Sequence, residues 1–218
     1  MKPFLLVLSS PSGGGKTTIA RKLLQGRDDL AYSVSATTRP RREGERDGVD
    51  YFFLTRDEFE RRVAAGEFVE WATYAGHLYG TLRGEVERIL AGGKHAVLDI
   101  EIDGARQVRR SFPDAVLVYV LPPSASALMQ RLRGRNTEPP EVLQARLARA
   151  LDELTVVREY DYVIVNDDLF TAVAEITAIL DAEARRPSRQ DTLWAFIEEL
   201  RGEVAAAVGK LGGAVPSR

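Results

Sequence analysis

The 218-residue chain has no cysteine and only two histidines. That excludes a disulfide framework and a thiolate metal site, and two imidazoles alone do not suggest a zinc centre. Charge of one sign is missing as well: 30 Lys and Arg stand against 32 Asp and Glu, for a formal net charge of -2. Without a global basic field the chain lacks the driving force for non-specific nucleic-acid binding, so no nucleic-acid partner is expected and any anion must be met by a local cluster. Long hydrophobic runs are absent too. The apolar stretch in MKPFLLVLSSPSGGGK is too short for a membrane span and leads straight into glycines, so it reads as a buried strand rather than a signal peptide. No membrane partner and a soluble, cytoplasmic location are expected. No internal repeat or low-complexity tract occurs, and the end GKLGGAVPSR is expected to fray.

With 44% hydrophobic and 28% charged residues, the chain can bury a substantial core as one domain with mobile parts. Apolar runs alternate with helical patterns, which predicts an α/β fold: a parallel central sheet flanked by helices. Its strands are FLLVLS (4–9), HAVLDIE (95–101), AVLVYVL (115–121) and YVIVN (162–166). Between the first two the texture changes. AYSVSATTRP, DYFFL and EFVEWATYAGHLYGT are short alternating segments with aromatics and turn residues, suited to a small antiparallel patch and an inserted substrate-binding lobe. Residues 124–159 read as two charged helices joined through GRNTEPPE, a candidate cover for the site. Past residue 183 an amphipathic helix carries Leu193, Phe196, Ile197 and Leu200 on one stripe.

The segment SSPSGGGKTT breaks the GxxxxGK[ST] phosphate-loop pattern at its first position, where Ser10 replaces glycine. Ser10 precedes Pro11, which biases it to extended backbone with negative φ, a conformation that serine occupies freely. A buried strand before the loop and an apolar-periodic helix after it (Ile19, Ala20, Leu23, Leu24) supply the context that the motif needs. Ser12, Gly13, Gly14 and Gly15 let backbone N–H groups turn inward, and the helix N-terminus adds positive potential. Lys16 reaches the outer phosphates of a nucleoside triphosphate, Thr17 ligates magnesium, and Thr18 completes the loop. The plainer reading, a glycine-rich turn before an ordinary helix, is outweighed by Lys-Thr at the right offset.

With that loop, the motifs SVSATTRPRREGERDGVDYFF, GEFVEWATYAGHLYGT, VLDIEIDG, RLRGRNTE and YVIVNDD stand in an order and spacing that resemble guanylate kinases, which transfer a phosphoryl group from ATP to GMP. The resemblance runs from about residue 4 to about 183. It implies a P-loop kinase fold over 1–185, with a core of about 1–33, 85–123 and 160–185. It also implies a small mixed or antiparallel GMP-binding lobe at about 34–84, a helical lid at about 124–159, and a C-terminal helical extension at 186–218. ATP and GMP become the expected small-molecule partners, with magnesium; oligomeric state stays undecided.

Residue by residue, the resemblance implies that Arg39, Arg42, Tyr51 and Tyr79 hold the GMP phosphate, to which guanidinium forks are suited. Taken alone, TTRPRREGERDGVDY reads more readily as a solvated charged loop or a small nucleic-acid patch. Glu70 matches the position that accepts from guanine N1–H and N2–H₂, a donor pair adenine lacks; Ser35 and Thr81 are hydroxyls around the base. Trp71 is expected to pack behind Glu70. Asp99 is implicated in organising magnesium water or substrate. Glu101 occupies a substrate-side position where the family usually has aspartate, and Asp103 receives no role. Arg131, Arg135 and Arg146 match lid and hinge arginines facing the transferring group, whereas Arg133 and Arg149 read as helix-face salt bridges. Asn166 and Asp167 fall in the adenine-side loop. His77 and His95 read as structural. Two alternatives remain: a catalytically silent guanylate-kinase-like peptide-binding module, and a phosphate-loop kinase for another phosphorylated small molecule.

Overall fold

The protein is described by a computed structural model, which covers residues 1–11, 13–133 and 140–212. It divides into two compact units, Pro3–Ile179 and a smaller one of Met1–Lys2 with Leu180–Arg218.

The larger unit is built on β1 (Leu5–Ser9), whose five residues are all buried. A strand buried on both faces is continuously apolar, and LLVL meets that requirement. It pairs in parallel with β7 (His95–Asp99) on one side and β8 (Val116–Leu121) on the other. β2 (Leu30–Tyr32) and β9 (Tyr162–Val165) complete a five-stranded all-parallel sheet of order β2-β7-β1-β8-β9. Chain order reverses across β1, so a crevice opens at the carboxyl end of this strand, where sheets of this kind bind ligands. The glycine loop follows β1 there, and α1 (Lys16–Gly26) starts from it.

The second sheet, of order β4-β3-β6-β5, is formed by β3 (Ser35–Thr37), β4 (Phe52–Phe53), β5 (Phe68–Tyr74) and β6 (His77–Leu82). β3 runs parallel to β4 but antiparallel to β6, so the lobe is mixed. Beside it lies α2 (Arg56–Ala64), started by the N-cap Thr55, whose Oγ1 accepts from the Glu58 N–H at 3.2 Å. Ala36, Phe59, Phe68 and Leu78 give the lobe its own small core, with Phe59 and Phe68 stacked at 4.3 Å.

The stretch AYSVSATTRP does not belong wholly to this lobe, as the sequence suggested. Ala31 and Tyr32 lie in β2, at the edge of the core sheet beside Ala96 and Val97, and only Ser35–Thr37 enters the second sheet. A three-residue edge strand is too short to carry a periodic signal. The strand read as 95–101 ends at Asp99; Glu101 stands instead at the N-cap position of α4 (Ile102–Ser111), without a side-chain capping bond. α3 (Arg83–Ala91) links β6 to β7. α5 (Ala125–Arg133) and α6 (Pro140–Thr155) are the two helices expected between 124 and 159, and α7 (Leu169–Ala184) follows β9.

In the smaller unit the buried Glu183 carboxylate accepts from Arg189 Nη2 at 3.0 Å, and the Arg189 carbonyl accepts from the Lys2 N–H. Its long helix α8 (Leu193–Gly212) leaves Trp194, Phe196, Leu200, Val204 and Val208 exposed.

Candidate functional site

The loop after β1 is shaped by two left-handed glycines, Gly13 (φ 87°) and Gly15 (φ 98°). Gly15 is also demanded by contact: a Cβ there would lie 2.4 Å from Asn166 Nδ2. Ser10 is buried, its hydroxyl donates to the Pro11 carbonyl at 3.0 Å, and the same carbonyl accepts from the Gly14 N–H at 2.8 Å. The missing first glycine thus leaves the turn intact. α1 begins without an acidic residue in its first turn and without a side-chain cap. Its first N–H groups and their positive potential remain available to an anion.

Asn166, at the end of β9, donates from Nδ2 to the Gly14 carbonyl at 3.0 Å. Arg131 on α5 donates to the Asn166 carbonyl at 2.8 Å and reaches Gly14 O at 3.5 Å. Gly13, Gly15, Thr18, Arg131, Asn166, Asp167 and Leu169 line a cleft of about 420 Å³ at the foot of the loop. Both adenine-side candidates therefore lie at the loop, Asn166 bracing its backbone.

Two carboxylates, Asp99 at the end of β7 and Glu101 just before α4, meet the start of α1. Asp99 accepts from Thr17 Oγ1 at 2.7 Å and from the Tyr32 hydroxyl at 2.5 Å. Burial, then the Asp99 charge, push the Tyr32 phenol well above its ordinary pKa, so it serves as a donor. Glu101 pairs with Lys16 Nζ at 2.7 Å through one oxygen and with Arg149 Nη2 at 3.4 Å through the other. Arg149 is anchored on α6 by Glu153, at 2.8 Å. Thr17 and Asp99 offer a hydroxyl and a carboxylate side by side, which fits magnesium, an ion that takes one or two protein oxygens and completes its shell with phosphate and water. Among the described residues no group of three His, Cys, Asp or Glu side chains would hold a metal unaided.

In the lobe, Ser35, Thr81 and Glu70 sit side by side on three neighbouring strands, since Thr81 pairs with Ser35 in β3 and with Glu70 in β5. Glu70 is only 6% exposed and accepts from Thr81 Oγ1 at 2.7 Å. Burial pushes its carboxyl above the usual value, and the hydrogen bonds from Thr81 oppose that shift. Gly104 of α4 makes room for it, because a Cβ there would lie 2.8 Å from Glu70 Oε2. Trp71 does not pack behind Glu70. Successive strand residues face opposite sides, and Trp71 is 40% exposed while its backbone N–H and carbonyl are held by the Gln107 amide at 3.1 and 2.9 Å.

Around the phosphate candidates, Arg39 lies over the Tyr51 ring at 5.4 Å, and Tyr51 meets Tyr79 edge-on at 6.1 Å. Glu45 pairs with Arg39 at 2.7 Å and accepts from the Arg42 N–H at 2.8 Å. That pairing raises the Arg39 pKa and lowers that of Glu45. The carboxylate bridges Arg39 and the Arg42 backbone. Arg146 is half-buried on α6. Arg135 and Ser12 lie outside the described residues. His95 is structural: buried, with Nδ1 accepting from the Phe4 N–H at 3.2 Å.

Sequence reasoning missed Tyr32, Glu45 and Gln107 and left Arg149 as a plain salt bridge. Only Arg149 had a local signal, its spacing of four from Glu153; the others depend on residues 36 or more positions away or on the fold of one loop.

The guanylate kinase family model matches residues 2–183. A guanylate kinase of Symbiobacterium thermophilum is 52% identical over 199 residues, 91% of this chain and 93% of that protein. One of Thermotoga maritima is 44% identical over 203 residues, 93% of this chain and 98% of that protein. The crystal structure of guanylate kinase from Anaplasma phagocytophilum is similar at a TM-score of 0.72 with 36% identity, covering 90% of this chain and 94% of that one.

Proposed function

The chain belongs to the guanylate kinase family of phosphotransferases, with ATP and GMP as its small-molecule partners, and on that premise we propose how its residues divide the transfer of the ATP γ-phosphoryl group to GMP, or to dGMP. The reaction serves purine nucleotide recycling in the cytoplasm. The described residues contain no helix long and apolar enough to cross a membrane.

The loop Ser10–Thr18 wraps the triphosphate with backbone N–H groups, and Lys16 leaves Glu101 to pair with the outer phosphates. Asn166 and Arg131 keep the loop in shape from the adenine side, with Asp167 beside them. Thr17 and Asp99 would hold magnesium, Asp99 by way of water, and the ion would supply neutralisation of charge building on the phosphate oxygens. Tyr32 fixes the Asp99 carboxylate for that task.

On the acceptor side, the GMP phosphate displaces Glu45 from Arg39 and from the Arg42 N–H and is completed by Tyr51 and Tyr79. Glu70, buried, accepts in its carboxylate form from guanine N1–H and N2–H₂, with Ser35 and Thr81 alongside. No protein base is needed, because the acceptor phosphate is already an anion at neutral pH. The chemical problem is to bring two anions together in line, so cations and alignment carry the rate. Arg39, Arg131, Arg135 and Arg146 supply the positive charge, and closure of residues 124–159 keeps water from competing for the γ-phosphate.

One observation carries this reading: a carboxylate 6% exposed that accepts from Thr81, itself paired with Ser35 on the next strand, inside the lobe that holds Arg39 and Tyr79. A coupled assay of ADP release from Mg-ATP with GMP, AMP, UMP or no acceptor, run beside Glu70→Ala, tests it. Release with GMP alone, mostly lost in Glu70→Ala, is expected; equal release with AMP or UMP overturns the guanine assignment.

A further inference from the structure

Glu101 is one carboxylate shared by two cations. Its Oε1 takes Lys16 Nζ at 2.7 Å and its Oε2 faces Arg149 Nη2 at 3.4 Å. The first contact is short and the second long, so Lys16 holds the larger share of the charge. Arg149 is not free to wander, because its Nε is held at 2.8 Å by Glu153, whose side chain is 7% exposed. The guanidinium is thus fixed at one edge and aimed at Glu101 with the other.

ATP changes the demand on this trio. Lys16 is required at the outer phosphates, and Glu101 is then a negative charge beside a polyanion with its main partner withdrawn. A carboxylate in that place either follows Lys16 and competes for it or repels the phosphates. We propose that Arg149 is a positioning residue for ATP binding that takes over Glu101 as Lys16 moves to the triphosphate, shortening the 3.4 Å contact into a full ion pair. The inference rests on the reading above that Lys16 serves the ATP phosphates. The longer reach of glutamate gives the exchange its geometry, since each oxygen already touches one of the two cations.

The test is a cycle of Arg149→Gln, Glu101→Gln and the double variant. Dissociation of a fluorescent ATP analogue, KM for ATP, KM for GMP and thermal unfolding are measured for each. Arg149→Gln is expected to raise the ATP dissociation constant roughly tenfold, the size of a coupled charge pair, and to change KM for GMP by less than about twofold. In the Glu101→Gln background the same substitution should move ATP affinity by less than about twofold, because no carboxylate is left to pacify. Arg149→Lys should recover most of the loss and also covers the case in which Arg149→Gln folds poorly. An equal loss of ATP affinity in both backgrounds, or a drop in thermal stability alone, overturns the inference and leaves Arg149 as a brace for Glu153. Lys16→Ala separates the two levels: unchanged ATP affinity there overturns the reading of Lys16 and the inference with it. Weakened ATP binding in Lys16→Ala without coupling between 101 and 149 overturns the inference alone.

Discussion

On the proposed assignment the two nucleotide sites would recognise phosphate by opposite means. The ATP side is a backbone device: Gly13 and Gly15 turn amides inward, α1 presents an uncapped N-terminus, and Asn166 and Arg131 clamp the Gly14 carbonyl from outside. The acceptor side is a side-chain device, with Arg39, Tyr51, Tyr79 and Glu70 projecting from a four-stranded lobe that has a separate small core. A site built from backbone takes any triphosphate of the right geometry. A site built from side chains can tell bases apart, because each hydrogen bond left unmade is costly.

The strongest way to break this contrast is Lys16→Ala, which removes the one side chain that the loop cannot replace. A loss of roughly 10³-fold in kcat is expected, as for deletion of a preorganised charge-stabilising donor, with GMP binding by calorimetry nearly unchanged. Next in size is Phe59→Ala, aimed at the lobe core alone. Removing a fully buried stacked ring costs about 3–5 kcal/mol, and hydrogen exchange should show residues 36–82 opening while 5–9 stay protected and the ATP analogue still binds. Collapse of protection in both places together would deny the lobe its independence.

Glu70→Gln sharpens the contrast from the recognition side. Exchanging the acceptor carboxylate for an amide forfeits two charge-assisted hydrogen bonds, and a fall of roughly 10²-fold in kcat/KM for GMP is expected with KM for ATP constant. The smallest effect is in pH. Burial raises the Glu70 pKa, and guanine requires the ionised form, so KM for GMP should climb several-fold as pH falls through that raised value. KM for ATP should stay flat over the same interval, and Glu70→Gln should flatten the GMP curve. For folding the sign is reversed: the folded state holds its proton more tightly, so this group favours folding at low pH and the benefit is lost as pH rises through the folded pKa. A thermal-unfolding series of wild type against Glu70→Gln measures it.

What could be read in the sequence follows the range of the interaction. β1, β8 and β9 announce themselves through runs of apolar residues, and the loop through glycines at fixed offsets. β2 does not, because three residues at a sheet edge carry no period; its strand identity comes from pairing with Ala96 and Val97. The same distance hides Tyr32 from Asp99, 67 positions away, and Gln107 from the Trp71 backbone, 36 away. Trp71 differs from expectation for a simpler reason: a strand sends sequence neighbours to opposite faces, so adjacency to Glu70 in the chain is not adjacency in space. The division of the stretch at 31–37 between two sheets is decided by the core and not by local preference.

The segment from Asp99 to Gln107 touches both sites: Asp99 and Glu101 hold Thr17 and Lys16 at its start, and Gly104 and Gln107 adjoin Glu70 and the Trp71 backbone one and two turns later. On the proposed assignment, a helix shared in this way would link two binding equilibria, and a shift that ATP imposed on its first residues would reach the place where guanine is read. Thermodynamic reciprocity then requires that whatever factor ATP contributes to GMP affinity, GMP returns to ATP.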